Sequence, residues 1–446
     1  MNTEPYTLED ISDIALKEAA RWKCNDVAIT CSRANDFQVR FANNNITLVN
    51  NVRNLSVDVY IAREHKRVIG TTYNPTDNGL KIFIEHLIKS CDALPPSKDY
   101  VGLPEGSLEN KGHSNFDSRV VDSNLVDYAK QAIDSALSAG ALRVSGSLKS
   151  EISEIYLATS TGVRGRDKSS QLLLNVRAFR DDNASGQGLA CSSYVSNFDV
   201  CKAGERAGSY AERALNPVQI PEGVYSVIFT PTVISNILPV ASNASAFAIE
   251  TGNSFLNDKL ETKVAVDALD VTDYGVYDHG LGGRIFDDEG SPTRKNEILS
   301  NGVFRTMLHN STTAKKFGKT STGNAGIIVP KPFTIVFGGG DSTFEEMIRE
   351  TKNGLLVTNN WYTRFQNVRA GEYSTVPRDA AFKVENGEVK EPVSGLRISD
   401  SIPRQLENVD LISKEREWIR WWEVETPTFA PAMRIKGVHV TRAVGS

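Results

Sequence analysis

The sequence predicts a mixed α+β protein: two N-terminal αβ units, built of antiparallel sheets with helices, followed by a larger β-rich C-terminal domain. Three observations carry this. Four segments of the first half repeat apolar residues at helical spacing, and strand-like runs lie between them. Beyond Gly223, short strand-like and loop-forming stretches dominate to the end of the sequence. A chain of 446 residues also exceeds the roughly 250–300 residues at which one hydrophobic core stops growing, so several domains are expected. The division is into residues 1–95, a linker or long loop at 96–120, a second αβ unit at 121–217, and the β-rich domain at 218–446.

The elements follow in order. Residues 8–22 place Leu8, Ile11, Ile14 or Ala15, and Ala19 on one helical face, with Thr7 as N-cap. Residues 27–33 and 36–42 read as strands. The Asn43-Asn44-Asn45 run suits the turn after them, because Asn tolerates positive φ. Residues 55–61 alternate, with Leu55, Val57, Val59 and Ile61 on one side. A helix at 77–91 precedes the Pro-, Gly- and Ser-containing stretch taken as the linker. In the second unit a helix at 124–139 precedes strands at 150–158, 161–166, 171–180 and 188–195, with a turn at 159–162. A helix at 199–215 then ends at Asn216-Pro217. The third unit opens with a strand at 224–229, and Asn386-Gly387 marks its clearest hairpin.

Composition narrows the function. A net charge of −5 and a pI near 5.8 argue against a broad phosphate-binding surface, so direct nucleic-acid binding is not expected. No run of some 18 apolar residues occurs, and the opening MNTEPYTLED lacks a basic start followed by an apolar stretch. A soluble, cytoplasmic protein without membrane association is expected. Five scattered cysteines with no CxxC pair fit a reducing compartment.

The most specific stretch is 286–326, FDDEGSPTRKNEILSNGVFRTMLHNSTTAKKFGKTSTGNAG. It joins an Asp-Asp-Glu-Gly turn, an Asn301-Gly302 turn and Ser-Thr-Gly-Asn at 321–324. With NGLLVT at 353–358, GEYSTVPRDAAFKVENGEVK at 371–390 and PAMRIKG at 431–437, the chain resembles the TldD/TldE (PmbA, modulator of DNA gyrase) peptidase family, nearest its TldE branch. In the TldD branch a helix carries His-Glu-x-x-x-His, whose histidines hold zinc with a late cysteine. Such an ion needs three or four ligands at about 2.0–2.3 Å.

This sequence departs from that pattern. Its histidines are His65, His86, His113, His279, His309 and His439, no two of them close enough to share adjacent helical turns, and no cysteine follows Cys201. The resemblance matches the zinc helix to residues 233–247, where Pro239, Val240 and Ala244 stand near the His, Glu and His places. It thus implies a subunit without catalytic or metal-binding residues and without a cofactor of its own, in a cytosolic complex that processes short or unfolded peptides. Zinc would belong to a TldD-like partner in a heterodimer. The alternative is a metal-free homodimer that binds peptides or acts as a scaffold without proteolytic activity. Ser321, Thr322, Gly323, Asn324, Ala325 and Gly326, with an apolar strand from Ile327, are the expected substrate or partner groove, since glycine leaves room for another backbone.

Other groups read more plainly. Gly338-Gly339-Gly340 leads to a helix capped from Ser342 and Glu345. It lacks the lysine and hydroxyl of a P-loop, and Asp341 stands where a phosphate would sit, so it reads as a structural turn. His279 and His309 read as structural rather than acid–base residues. Asp287-Asp288-Glu289 reads as an exposed acidic turn. No Gly-x-Ser-x-Gly supports a serine nucleophile. Trp418, Trp421 and Trp422 suit a core or an interface.

Overall fold

The computed structural model describes residues 6–106, 108 and 113–442. The N-terminal half comprises α1 (Leu8–Ala20), β1 (Asp26–Ala42), β2 (Asn45–Arg63), β3 (Lys66–Thr72), α2 (Asp77–Asp92), α3 (Leu125–Ser138), β4 (Arg143–Thr159), β5 (Arg164–Phe179), β6 (Ser185–Ser192) and α4 (Val200–Arg213). Thr7 caps α1 through a reciprocal pair of hydrogen bonds with Asp10, and Leu8, Ile11, Ala15 and Ala19 are buried.

Both αβ units feed one antiparallel sheet in the order β3-β2-β1-β4-β5-β6, because β1 pairs with β2 on one side and β4 on the other. That double pairing explains why 27–33 and 36–42 form one strand rather than two. Ala34 and Asn35 remain in register with Asn54 and Arg53 and with Ser153 and Ile152. The runs 161–166 and 171–180 likewise join in β5. Strand β4 starts at Arg143, ahead of the expected residue 150, where Val144 and Leu148 supply its buried side chains. The turn at Asn43 and Asn44 has φ of +48° and +66°. Helices α1 and α2 cover one stretch of the sheet with Leu80, Ile84, Val57, Val59 and Ile61. Helices α3 and α4 cover the other, and their axes approach closely at Gly204 and Gly208. A Cβ on either would lie 2.2 Å from the carbonyl oxygen of Ala132 or Ala136.

The C-terminal half contains β7 (Gly223–Phe229), α5 (Pro231–Ile237), α6 (Val240–Asn243), α7 (Ala246–Glu250), β8 (Val271–Tyr274), β9 (Lys295–Ser300), β10 (Val303–Phe304), α8 (Ser311–Lys316), β11 (Thr334–Phe337) and α9 (Phe344–Arg349). It continues with β12 (Asn353–Val357), β13 (Asn360–Asn367), β14 (Glu372–Pro377), β15 (Ala381–Glu385), β16 (Glu388–Pro392), β17 (Leu396–Ser401), α10 (Ile402–Glu407), β18 (Val409–Trp421) and β19 (Val424–Arg442).

These strands form a second sheet around β19, which pairs with β7, β11, β17 and β18. Asn386 and Gly387, at φ +52° and +81°, turn β15 into β16 as the Asn-Gly pair predicts. Two local readings are corrected. Helix α9 is capped by Thr343 with Glu346, one residue beyond the expected Ser342 and Glu345. No strand starts at Ile327: Ile328 and Val329 are exposed, and the strand begins at Thr334, whose N–H bonds to Asp273. Among the described residues, no helix is long and apolar enough to cross a membrane.

Candidate functional site

The motifs of the 286–326 stretch, separated along the sequence, meet in one buried polar core. Asp287 links the acidic turn to the 321–326 loop. Its Oδ1 accepts from the N–H of Glu289 at 3.0 Å and of Ser291 at 2.8 Å, and its Oδ2 accepts from Ala325 N–H at 2.9 Å. Asp288 N–H returns a bond to the Ala325 carbonyl. Asn324, fully buried, donates to Asp273 at 2.6 Å and to the Lys331 carbonyl at 3.0 Å, while Asn296 donates to its Oδ1.

The His309-Asn310-Ser311 stretch closes the network. Its His309 N–H bonds to Thr322 Oγ1, Asn310 caps α8 and donates to the carbonyl of Ile328, and Ser311 donates to Glu289 from both backbone and hydroxyl. The acidic turn is therefore not exposed: Asp287 is 0% and Glu289 5% accessible, because backbone N–H groups replace water around them.

Burial sets the charges here. It raises Asp273 and Asp287 to about 6 and Glu289 to about 7, against hydrogen bonds that favour the carboxylate form. Burial also acts on Asp288, but Arg284 and Lys331 prevail and hold it below the usual carboxylate range. Burial pushes His309 down to about 4, and its Nδ1 lies 3.2 Å from Thr313 Oγ1, so its ring is neutral and structural near pH 7.

Of the predicted groove residues, Ser321 and Thr322 are half-buried and Gly323 to Gly326 are buried. Gly323 stands at φ +72°, and a Cβ there would lie 2.4 Å from the Pro292 carbonyl oxygen. The loop thus makes its close backbone approach to its own chain. A cleft of about 400 Å³ beside it is walled by Gly282, Gly283, Arg284, Lys331 and Phe333, with Arg420 across from them. The sequence reading passed over Asp273, Asn296 and Arg284. For Asp273 a signal exists: alternation in Val271–Tyr274 puts it on the same face as buried Val271, an acid on a core face.

Zinc does not fit the stretch matched to the family's metal helix. That stretch is broken into α5, α6 and α7, with Leu238 and Pro239 between the first two. Val240 and Ala244 are fully buried in the main apolar core, and neither they nor Pro239 offer a donor atom. Among the described residues, no three His, Cys, Asp or Glu side chains converge to hold a metal ion. Where α5 begins, a pocket of about 340 Å³ lies between α4 and the C-terminal sheet, lined by Thr230, Thr232, Thr358 and the paired Arg206 and Glu417.

The remaining candidates are dispersed. His279 is exposed, and the Gly338–Gly340 turn packs on β18, its Gly340 N–H bonding to Ser413. Trp418 stacks on Phe429 at 4.7 Å and Trp421 is buried, which is core packing, whereas Trp422 is half-exposed beside Trp361 and Tyr362.

Comparison with known proteins agrees with this architecture. Residues 118–215 match the PmbA/TldA metallopeptidase central domain, and residues 222–442 match its C-terminal domain. A metalloprotease PmbA homolog of Haemophilus influenzae is 32% identical over 219 residues, 48% of this chain and 46% of that protein. A metalloprotease of Methanothermobacter thermautotrophicus is 27% identical over 230 residues, 49% of each. The chain spans about half the length of the curated relatives it matches.

Among solved structures, TldE from Thermococcus kodakarensis superposes with a TM-score of 0.84 at 21% identity, covering 97% of this chain and 99% of that one. A candidate modulator of a DNA gyrase from Thermotoga maritima gives 0.85 at 24%, covering 98% and 100%. These likenesses establish the fold, and the two domain matches, which together cover more than half of the chain, show that it belongs to the PmbA/TldD metallopeptidase family.

Proposed function

We propose that this chain is the zinc-free subunit of a TldD/TldE-type peptidase complex that processes short or unfolded peptides, with the zinc on a TldD-like partner. The observation that carries this reading is the apolar burial of Val240 and Ala244 where the family's metal helix is matched. A metal-activated water needs ligands there, and this chain offers methyl groups.

In this reading the polar core under residues 321–326 carries no catalytic group. Its role in this reading is to hold the Arg284 and Lys331 wall of the adjoining cleft, where a peptide or partner would lie. The test is to assay unstructured peptides with the chain alone, with a His-Glu-x-x-x-His relative from the same genome, and with both. Chelator-sensitive cleavage is expected from the mixture and none from this chain. Chelator-resistant turnover by the repurified chain alone contradicts the proposal.

A further inference from the structure

Away from the polar core, a cleft of about 620 Å³ opens between the N-terminal sheet and the β13-β14-β17 corner of the C-terminal sheet. That is within the roughly 300–1,000 Å³ typical of ligand sites. Arg177, Arg364, Arg378 and Arg397 line it, against Asp182 and Asp379. On a chain of net charge −5 this is a local surplus of positive charge.

Asp379 is already committed. Its side chain is 0% accessible, and it accepts from Arg177 Nε and the Ser185 hydroxyl, both at 2.9 Å, and from Asn359 at 2.7 Å. Asp182 is fully exposed, 3.7 Å from Arg143. Among the described residues, Arg364, Arg378 and Arg397 face the cleft without a carboxylate partner: Arg364 donates to the Thr363 carbonyl and Arg397 to Ser374 Oγ.

Tyr362 orders two of the three. Its ring centroid lies 5.9 Å from the Arg364 guanidinium carbon and 5.8 Å from that of Arg378, within cation–π range. Its backbone stands at φ +58°, which a bulky residue adopts only when its surroundings impose it, and its N–H is held by Glu423 at 2.8 Å. Arg364 of β13 sits directly opposite Ser374 of β14, and Arg397 of β17 donates to the hydroxyl of that same Ser374, so the two arginine-bearing strands meet at one residue.

We propose that this cleft binds peptide carboxylates, whether of acidic side chains or of a free C-terminus, through Arg364, Arg378 and Arg397. Planar guanidinium groups match a carboxylate with two parallel hydrogen bonds. The apolar wall of Phe179, Val376, Pro377 and Leu396 suits the side chains between such charges, for which a bare phosphate has no use. The inference builds on the peptide-handling role proposed above but concerns binding by this chain alone.

The experiment is fluorescence anisotropy of the full chain with three short labelled peptides: Glu-rich and amidated, neutral with a free C-terminus, and neutral and amidated. Binding of the first assigns side-chain carboxylates, binding of the second assigns the terminal one, and either supports the site. Affinity should fall at least about tenfold in Arg364→Ala/Arg378→Ala, the loss of one charge-assisted hydrogen bond or more. It should also weaken with added salt.

Should that variant not fold, Arg378→Gln carries the same test, since its side chain is exposed. Equal binding of all three peptides, undiminished affinity in the variant, or binding of inorganic phosphate without any peptide would overturn the proposal. Cleavage by the mixed complex is read separately, so either reading can fail without the other.

Discussion

Gly323 and Glu289 show how the polar core constrains single residues. At Gly323 a side chain meets a positive φ and a carbonyl 2.4 Å away, so Gly323→Val should cost the isolated chain at least about 2 kcal/mol, read by urea denaturation. An unchanged midpoint would mean that the loop relaxes freely. Reading the loop as an open groove gives the opposite expectation. Small residues in the sequence reveal that something approaches closely, but not that the neighbour is Pro292 of the same chain.

Glu289 was misread for a related reason. Its donors lie on Ser311, 22 residues away, and the turn's second anchor, Ala325, is 38 residues from Asp287. Folded Glu289 keeps its proton to about pH 7, whereas an unfolded glutamate releases it near 4.5, so its contribution to stability is present below that value and declines as pH rises to 7. Glu289→Gln should remove this decline, gaining on the order of 2 kcal/mol relative to the parent between pH 5 and 8. Parallel pH–stability curves for the two proteins would contradict it.

Individual elements were legible wherever local chemistry decides them. The Thr7 cap, the Asn43-Asn44 turn and the Asn386-Gly387 hairpin each rest on groups within a few residues, and each stands as read. Strand lengths were less legible, because Ala34-Asn35 and the polar start of β4 become strand only through neighbours supplied from elsewhere.

Helix α9 offers a test at this scale. Thr343 carries its capping bond, so Thr343→Ala should cost about 1 kcal/mol, and Ser342→Ala a few tenths at most. Equal losses in thermal melts would return the cap to Ser342. Helices α5 and α6 show a different limit: the absence of histidine is plain in the sequence, but the break at Leu238-Pro239 and the apolar burial beyond it are visible only in the fold.

In the whole molecule, two segments that read as separate αβ units complete one sheet, and that sheet and its covering helix α4 are tied to the C-terminal domain through Arg177 with Asp379 and Arg206 with Glu417. The clefts lie along this junction, on surfaces contributed by residues some 200 positions apart, such as Arg177 and Asp379. No local pattern could reveal them. The proposed division of labour places peptide-facing surfaces here and the metal elsewhere. Its most direct test is the zinc content of each chain in a complex purified with a His-Glu-x-x-x-His relative, separated and measured after dialysis. The account predicts about one zinc on the relative and none held by this chain. About one tightly bound zinc per copy of this chain, with histidine ligation, would contradict it.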